Sequence, residues 1–316
     1  MSSPGHALDA PVIPRKLSLR ERYRKHWPLF LLFIPGLAYY VIFHYIPIYG
    51  LQIAFKNYVI MKGIWGSEWV GLQNFADVFA LGSFWEVLRN TLVISAYKIV
   101  FGFPAPIILA ILLSELVSTK FKKTAQTISY LPHFVSWVVL GGLFRQFLSP
   151  SMGPVNELIE ALGGEPIYFL ADPQYFRGVL VVTSIWKEVG WGSIIYLAAL
   201  SGIDPQLYEA AVIDGANRFQ RIRYVTLPSL TPVITIMLLF SLRGIIVDDF
   251  DQIFNMYNPS VYSVGDVIST YIYRVGLIDL RYSFSTAVGM FKNVVAFVII
   301  VVANAVTKRI NEYGIW

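Results

Sequence analysis

The side chains with the clearest chemical potential in this 316-residue sequence are charged groups inside long apolar stretches. One of them, Glu188, is acidic, and the basic ones are Lys98, Arg145, Lys187, Arg243 and Lys292. A charge placed in hydrocarbon costs several kcal/mol, so such groups usually face a polar cavity, a partner or each other. The excess of cations therefore predicts that these stretches surround a site for an anion, such as a sugar acid.

Patterns that indicate catalysis are absent from the sequence. It contains no G-x-x-x-x-G-K-[ST] loop for ATP, no H-E-x-x-H and no G-x-S-x-G. It has no cysteine, which excludes disulfides and thiolate metal sites. The four histidines are scattered and predict no metal site: His6, His26, His44 and His133. We expect a chain that is not an enzyme and holds no metal and no cofactor of its own.

Composition indicates a membrane protein. Hydrophobic residues make up 56% of the chain and the mean hydropathy is +0.58. Charged residues make up only 14%, against roughly 25% in soluble domains. The net charge of +5 does not predict a nucleic-acid partner, because the basic residues lie at the ends of apolar stretches rather than in one patch. These features predict an all-α, polytopic fold in a lipid membrane.

Six stretches have the length of about 20 residues that a membrane-spanning helix needs. They are residues 28–50, 90–114, 124–147, 178–201, 229–247 and 284–306. Connectors 1–27, 115–123, 202–228 and 307–316 together hold 14 basic and 7 acidic residues, whereas connectors 51–89, 148–177 and 248–283 hold 6 and 12. Since positive loops stay in the cytoplasm, we expect a cytoplasmic basic tail (1–27), a six-helix transmembrane domain (28–306), a cytoplasmic loop (202–228) and a cytoplasmic C-terminal tail (307–316).

This orientation places the intramembrane cations in the outer half of the spans. Lys98, Lys187 and Lys292 each lie eight or nine residues from the outer end, roughly 12–14 Å deep at the rise of a helix. We take them, with neighbours that could contact a solute, as a candidate substrate pathway: Lys98, Arg145, Trp186, Lys187, Trp191, Arg243, Lys292 and Asn293. The alternatives are snorkelling lysines, arginines at lipid headgroups, a Lys187–Glu188 pair and tryptophans that serve packing.

Three aspartates follow the fifth predicted span, at Asp248, Asp249 and Asp251. Such a group could bind a cation, gate a cavity or contact a protein on the outer side. A solvated acidic edge is the simplest expectation.

The longest polar passage in the second half of the chain is YEAAVIDGANRFQRIRYVTLPSL, from Tyr208 to Leu230. Asp204 followed by Pro205 predicts a helix start, because a carboxylate caps free N–H groups and proline suits the first turn. The helix should run to about Asp214, where Gly215 permits a turn with positive φ. A second short helix should then carry three arginines and end near Leu227-Pro228: Arg218, Arg221 and Arg223.

This passage resembles the EAA loop of permease subunits in binding-protein-dependent ABC importers. Glu209-Ala210-Ala211 is followed after three residues by Gly215 and after nine more by Val225-Thr226-Leu227-Pro228. The one departure is Val225, where the family pattern has isoleucine. By this resemblance the residues that couple the chain to an ATPase are Tyr208, Glu209, Ala210, Ala211, Asp214, Gly215, Leu227 and Pro228.

The wider sequence also resembles permeases of carbohydrate importers, in the branch that imports multiple sugars, aldouronates and fragments of pectin or alginate. Matching segments include FHYIPIYGLQIAFKNY, FGFPAPIILA, IWKEVGWGSIIYLAAL and TAVGMFKN. The resemblance implies the type I importer permease fold in a bacterial inner membrane. It also implies a second related permease, two ATPase subunits that bind ATP and Mg²⁺, and an extracytoplasmic solute-binding protein.

On this basis the sequence predicts a permease that moves an oligosaccharide by alternating access. An ion-coupled secondary transporter is a different possibility, but it would need no EAA loop, and the sequence shows no internal repeat. A membrane-embedded enzyme would need clustered catalytic side chains, and only lysines cluster. Whether the sugar is acidic or neutral stays open at this point.

Overall fold

The chain is built almost entirely of helices. The structure is a computed structural model, and it describes residues 19–242 and 248–311. Most of the predicted basic tail, the end of the fifth predicted span with Arg243, and the last five residues lie outside the described residues. The all-α prediction is confirmed, because the strands in the described ranges are two short pieces that form one hairpin.

The chain divides into two units, residues 1–52 and 53–316. The first unit enters the described range at α1 (Leu19–Tyr40), which contains Pro28 and Pro35 and continues without a break. A π-helical turn (Val41–Tyr45), α2 (Ile46–Ile48) and a 3-10 helix (Tyr49–Phe55) follow. Apart from Gly50 and Gln52, the side chains described in this unit are exposed, and most are apolar, which suits contact with lipid.

The second unit begins with the hairpin. Strands β1 (Lys56–Asn57) and β2 (Glu68–Trp69) are antiparallel, with Lys56 opposite Trp69. Between them lie a 3-10 turn (Ile60–Lys62) and α3 (Gly63–Gly66), and α4 (Gln73–Ala80) follows the hairpin.

The helices that carry the site are interrupted in several places. In chain order they are α5 (Gly82–Tyr97), a π-helical turn (Lys98–Gly102), α6 (Pro104–Ser114), α7 (Thr119–Tyr130), a 3-10 turn (Leu131–Phe134), α8 (Trp137–Phe147), α9 (Pro154–Ala161) and α10 (Pro173–Ser201). After them come α11 (Pro205–Ile213), α12 (Arg218–Arg221), a π-helical turn (Ile222–Thr226) and α13 (Leu227–Leu242).

The last part of the chain returns to the same bundle. Its elements are α14 (Phe250–Met256), a 3-10 turn (Pro259–Val261), α15 (Tyr262–Gly265), α16 (Ile268–Tyr273), a π-helical turn (Arg274–Ile278) and α17 (Tyr282–Asn311). α17 contains the sixth predicted span.

Three apolar clusters hold the second unit together. The first joins α4 and α5 to α16 and α17, the second joins α5 and α10 to α14, and the third joins α6 and α10 to α13. Their largest fully buried members include Phe84, Phe176 and Leu180. α5 and α10 each take part in two of these three clusters, so both helices connect separate parts of the core.

Two of the predicted spans differ from regular apolar helices. Within residues 19–242 and 248–311, four helical stretches are long and apolar enough to cross a membrane, and a fifth is possible if a bent pair counts as one: His26–Phe55, Gly82–Ser114, Arg218–Leu242, Tyr282–Val302 and the pair Thr119–Phe134 with Trp137–Phe147. That pair bends by 104°, so the helix over the third predicted span, residues 124–147, is broken rather than straight. Pro132 lacks an N–H for the helical ladder, and Ser136 caps the new helix by accepting a bond from the Val139 N–H.

The fourth predicted span lies inside α10, which is not among those apolar stretches. Its 29 residues are long enough to cross a bilayer, but several of its side chains are polar. Thr183, Lys187 and Ser193 are buried, because they face neighbouring helices rather than the outside of the bundle. Polar side chains in a central helix lower its mean hydropathy without exposing charge to lipid.

Helix α10 packs against α7 so closely that one glycine is required. A Cβ at Gly190 would overlap the Ser129 backbone carbonyl, whereas a Cβ at Gly178, on the same helix, would meet nothing within 4 Å. We expect Gly190→Ala to destabilise the protein by about 1–3 kcal/mol or more, as overpacking usually does. Gly178→Ala, the matched control, should leave stability unchanged or slightly raised, since alanine favours helix.

The measurement is the thermal unfolding midpoint of each variant in detergent, followed by intrinsic tryptophan fluorescence. Equal midpoints for the two variants would show that α7 and α10 do not approach as described.

Candidate functional site

A cavity of about 230 Å³ with a mostly apolar wall lies where α5, its π-helical turn, α6 and α10 meet the start of α14. Its ionisable lining residues are Lys98, Glu188, Asp248 and Asp249. Hydroxyl groups of Ser95 and Ser184 share the wall with apolar side chains such as Phe103 and Pro106. The cavity therefore offers both charge and hydrogen bonds inside the bundle.

Lys98 is held by two residues of the α14 region. Its Nζ lies 2.6 Å from Asp249 Oδ2 and also donates to Gln252 Oε1. Gln252 is fully buried and is fixed by bonds to the Leu180 carbonyl (2.7 Å) and Thr183 Oγ1 (2.9 Å). Lys98 begins a π-helical turn, an irregularity that is frequent at functional sites.

Lys292 makes the second lysine–aspartate pair. Its Nζ lies 2.8 Å from Asp248 Oδ1 and also donates to Ser269 Oγ. The Asp248 carboxylate accepts further bonds from the Ser269 N–H (2.8 Å) and hydroxyl, and its side chain is 2% exposed. The expectation of a solvated acidic edge is therefore wrong for Asp248, while Asp251 is exposed.

Lys187 forms hydrogen bonds with the backbone of the break between α7 and α8. Its Nζ donates to the carbonyls of Pro132 (3.3 Å), His133 (2.6 Å) and Val135 (2.8 Å). The side chain is 7% exposed, and its ammonium lies 5.6 Å from the centre of the Trp137 ring. The lysine thus replaces the backbone donors that the bent segment lacks, and it does not line the cavity.

Glu188, beside it, pairs mainly with a histidine that the sequence reasoning missed. Glu188 Oε2 lies 2.8 Å from His133 Nδ1, whereas Glu188 Oε1 is 3.8 Å from Lys187 Nζ. The His133 ring stacks on Trp191 with centroids 4.5 Å apart and parallel planes. No local pattern predicts this group, since 55 residues separate His133 from Glu188.

The other predicted pathway residues that the structure describes do not line the cavity. Arg145 Nη2 donates to the Asn255 carbonyl at 2.5 Å, and Trp186 meets Phe144 edge to face at 5.7 Å. Asn293 is exposed on α17, and Arg243 lies outside the described residues.

The balance of charge in the described residues corrects the expectation of a cationic cavity. Lys98 and Lys292 each have a carboxylate partner, and Lys187 has three carbonyls. One lysine and three carboxylates line the cavity itself. An anion entering it must therefore compete with the protein's own acids.

The loop between α10 and α13 has the predicted first helix and turn. The predicted end of the second helix near Leu227-Pro228 is wrong, because α12, the π-helical turn and α13 form one helical stretch from Arg218 to Leu242. The Asp204 side chain accepts a bond from the Gln206 N–H (2.9 Å) and caps α11, and Gly215 has φ +78°. Asn217 and Gln220 form a capping box at the start of α12. The helix start and the glycine turn are confirmed.

Three hydrogen bonds, made by Arg218 and Tyr208, tie this loop to the long helices. Arg218 Nε lies 2.5 Å from Glu115 Oε2, and its Nη2 donates to the Glu115 carbonyl at the end of α6 (2.7 Å). Tyr208 Oη lies 3.0 Å from Thr226 Oγ1, just before α13. Each of the two short helices of the loop is thus hydrogen-bonded to the end of a long helix or to the turn before it.

The outer surface of α11 is apolar and open. Val212 is 55% exposed and Ile213 is 85% exposed, and Glu209 is exposed beside them. Within the described residues, no ion pair joins Glu209 to Arg218, Arg221 or Arg223. The alternative that Glu209 only holds the loop together therefore finds no contact in its favour.

Comparison with known proteins fits this arrangement. The family model for the inner membrane component of binding-protein-dependent transport systems matches residues 102–313. Protein LplB of Bacillus subtilis (strain 168) is 42% identical over 310 residues, which cover 98% of each chain. The polygalacturonan/rhamnogalacturonan transport system permease protein YteP of the same strain is 41% identical over 288 residues, or 91% of this chain and 90% of YteP.

A solved transporter shares the fold. It is a bacterial ABC transporter involved in the import of the acidic polysaccharide alginate, and one of its chains gives a TM-score of 0.87 at 42% identity over 93% of this chain and 99% of that chain. The alginate transporter in complex with its alginate pentasaccharide-bound periplasmic protein also gives 0.87, over 94% and 99%.

The architecture and these matches define a multi-pass permease subunit of a membrane transporter. The chain belongs to the family of binding-protein-dependent transport system inner membrane components. The family and the type I importer permease fold that the EAA-like loop implied are both confirmed.

The role of Lys187 can be tested by removing its donors. Lys187→Met should leave the carbonyls of His133 and Val135 without this donor, while the Pro132 carbonyl keeps its bond from the Val135 N–H (3.2 Å). Each acceptor left unpaired costs about 1–3 kcal/mol. Lys123→Gln, on the exposed side of α7, is the control. We expect a clear fall of the unfolding midpoint in detergent for the first variant and none for the second. A Lys187→Met protein as stable as the control would return this lysine to the candidate substrate pathway.

Proposed function

We propose that the chain is one of two permeases of an importer that moves an acidic oligosaccharide inward by alternating access, driven by partner ATPases. The observation that carries this proposal is the exposed α11–Gly215–α12 loop, tied to α6 and α13. Supporting it, the relatives are named for transport of polygalacturonan and for import of alginate. Both polymers are built from sugar acids.

The loop has the shape of a docking element. Ala210 and Ala211 let another protein approach the α11 backbone closely, and exposed Val212 and Ile213 supply apolar area. Glu209 offers an acceptor to a basic side chain. An ATPase that closes on ATP would move α11, and Gly215 would keep the angle between the two helices fixed.

The hydrogen bonds of Arg218 and Tyr208 would pass this motion on. Arg218 would move the end of α6 through its ion pair with Glu115. Tyr208 would move the start of α13 through its hydrogen bond with Thr226. Both long helices lead into the bundle, and α6 lines the cavity through Pro106. Motion of the loop would thereby open the cavity to one side at a time.

The partners follow from this assignment. Two ATPase subunits bind ATP and Mg²⁺, since the sequence has no P-loop. A sister permease completes the pathway, and a solute-binding protein delivers the sugar. Both termini and the loop face the cytoplasm of a bacterium, with the chain in its inner membrane.

Charged, hydroxyl and aromatic side chains would bind the substrate. In the cavity, Lys98 can bind a carboxylate while Ser95 and Ser184 bind hydroxyls. Trp186 and Trp191 are about half exposed, at 48% and 45%, and can stack on sugar rings.

The substrate class is tested with the complex of both permeases, the ATPases and the binding protein in vesicles. We expect trigalacturonate to stimulate ATP hydrolysis and to be taken up, and neutral trisaccharides to do neither. Equal stimulation by a neutral trisaccharide would contradict the acidic substrate but not the importer. No response to any sugar, in a complex that hydrolyses ATP, would contradict sugar import.

The coupling role is tested at Gly215. A backbone position with φ +78° accepts glycine and asparagine, whereas a β-branched residue there costs about 1–2 kcal/mol of conformational energy. No atom lies within 4 Å of a Cβ placed there, so the backbone and not crowding is changed. Gly215→Val should lower sugar uptake per ATP hydrolysed several-fold, and Gly215→Asn should stay near wild type. If Gly215→Val leaves the ratio of sugar uptake to ATP hydrolysis unchanged, the proposed coupling role of the loop is contradicted.

A further inference from the structure

Two neighbouring aspartates bind two lysines in different ways. Asp248 is sealed: its side chain is 2% exposed and bonds Lys292 and both polar groups of Ser269. Asp249 is open: its side chain is 52% exposed. Within the described residues, Lys98 is the one hydrogen-bonding partner of the Asp249 carboxylate.

Asp249 also has no second structural task in the described residues. It stands before α14, but its side chain makes no capping bond to the helix. The residue's backbone carbonyl, not its carboxylate, accepts the bond from the Ile253 N–H. The carboxylate is therefore free to leave Lys98 without breaking the helix start.

Lys98 would stay in position if Asp249 left. Gln252 accepts a bond from the ammonium and is itself held by Leu180 and Thr183. The lysine is only 16% exposed, so an ammonium without a counter-ion would be costly there. The site therefore needs one carboxylate, and nothing in the geometry demands that it be that of Asp249.

The cavity around this pair has room for the group that would replace it. Its volume of about 230 Å³ is below the roughly 300–1,000 Å³ of pockets that enclose drug-sized ligands. That size suits one unit of a sugar chain rather than a whole oligosaccharide. Ser95 and Ser184 line the same wall as Lys98 and are placed for sugar hydroxyls.

We propose that Asp249 is an exchangeable counter-ion, and that a carboxylate of the substrate takes its place on Lys98 during transport. This inference rests on the proposed import of an acidic oligosaccharide. A uronate replaces one carboxylate by another, so Lys98 stays paired throughout. A neutral sugar would have to separate the pair and leave Lys98 unpaired, so Asp249 and Lys98 together select for acidic sugars.

The test compares Asp249→Asn with Asp248→Asn in the vesicle complex, using trigalacturonate uptake. Removing the competing carboxylate should lower the KM of Asp249→Asn about five- to tenfold. Lys98→Gln removes the anion site and should raise KM about tenfold, and the double variant Lys98→Gln/Asp249→Asn should match Lys98→Gln. Asp248→Asn, the matched control, should lower the amount of assembled complex and should not lower KM.

Outcomes separate this inference from the proposed function. If the wild-type complex takes up trigalacturonate but Asp249→Asn has an unchanged or higher KM, the exchange is wrong and the importer stands. The exchange is equally contradicted, and the importer again stands, if Asp249→Asn still lowers KM when Lys98 is Gln. If the wild-type complex takes up neutral trisaccharides and no trigalacturonate, the proposed substrate class itself fails, and the exchange fails with it.

Discussion

The structure depends on one constraint: a charge inside a low-dielectric bundle must have a partner. Lys98, Lys187 and Lys292 meet it in three ways, with an open carboxylate, with backbone carbonyls and with a sealed carboxylate. The partners come from the start of α14 and from the break between α7 and α8. The irregular parts of the fold are thus the places where the lysines are neutralised.

The same constraint explains which features the sequence could predict. The α11–Gly215–α12 loop was predictable because its signals are local: a capping aspartate, a proline at the first turn and a glycine with positive φ. The lysines were found as charges in apolar stretches. Their partners were not, because 151 residues separate Lys98 from Asp249 and 44 separate Lys292 from Asp248.

The differences between the predicted spans and the observed helices have a related origin. Hydropathy counts residues along a segment, but it does not register where a helix bends or which face is buried. The break near Pro132 had a local signal in that proline and in Ser136, yet the donor to the carbonyls at this 104° bend is Lys187 of another helix. The mean hydropathy of α10 is low because the helix contains Lys187 and other polar residues. That these side chains are buried inside the bundle becomes visible only in three dimensions.

The lysine at this break has a mechanical consequence. If α7 and α8 straightened into one helix, the carbonyls of Pro132, His133 and Val135 would turn back toward their own ladder, and the Lys187 ammonium would be stranded. The hydrogen bonds of Lys187 therefore attach the bend to α10, and the bend does not act as a hinge. Any rigid-body motion of this part of the bundle has to move α7, α8 and α10 together.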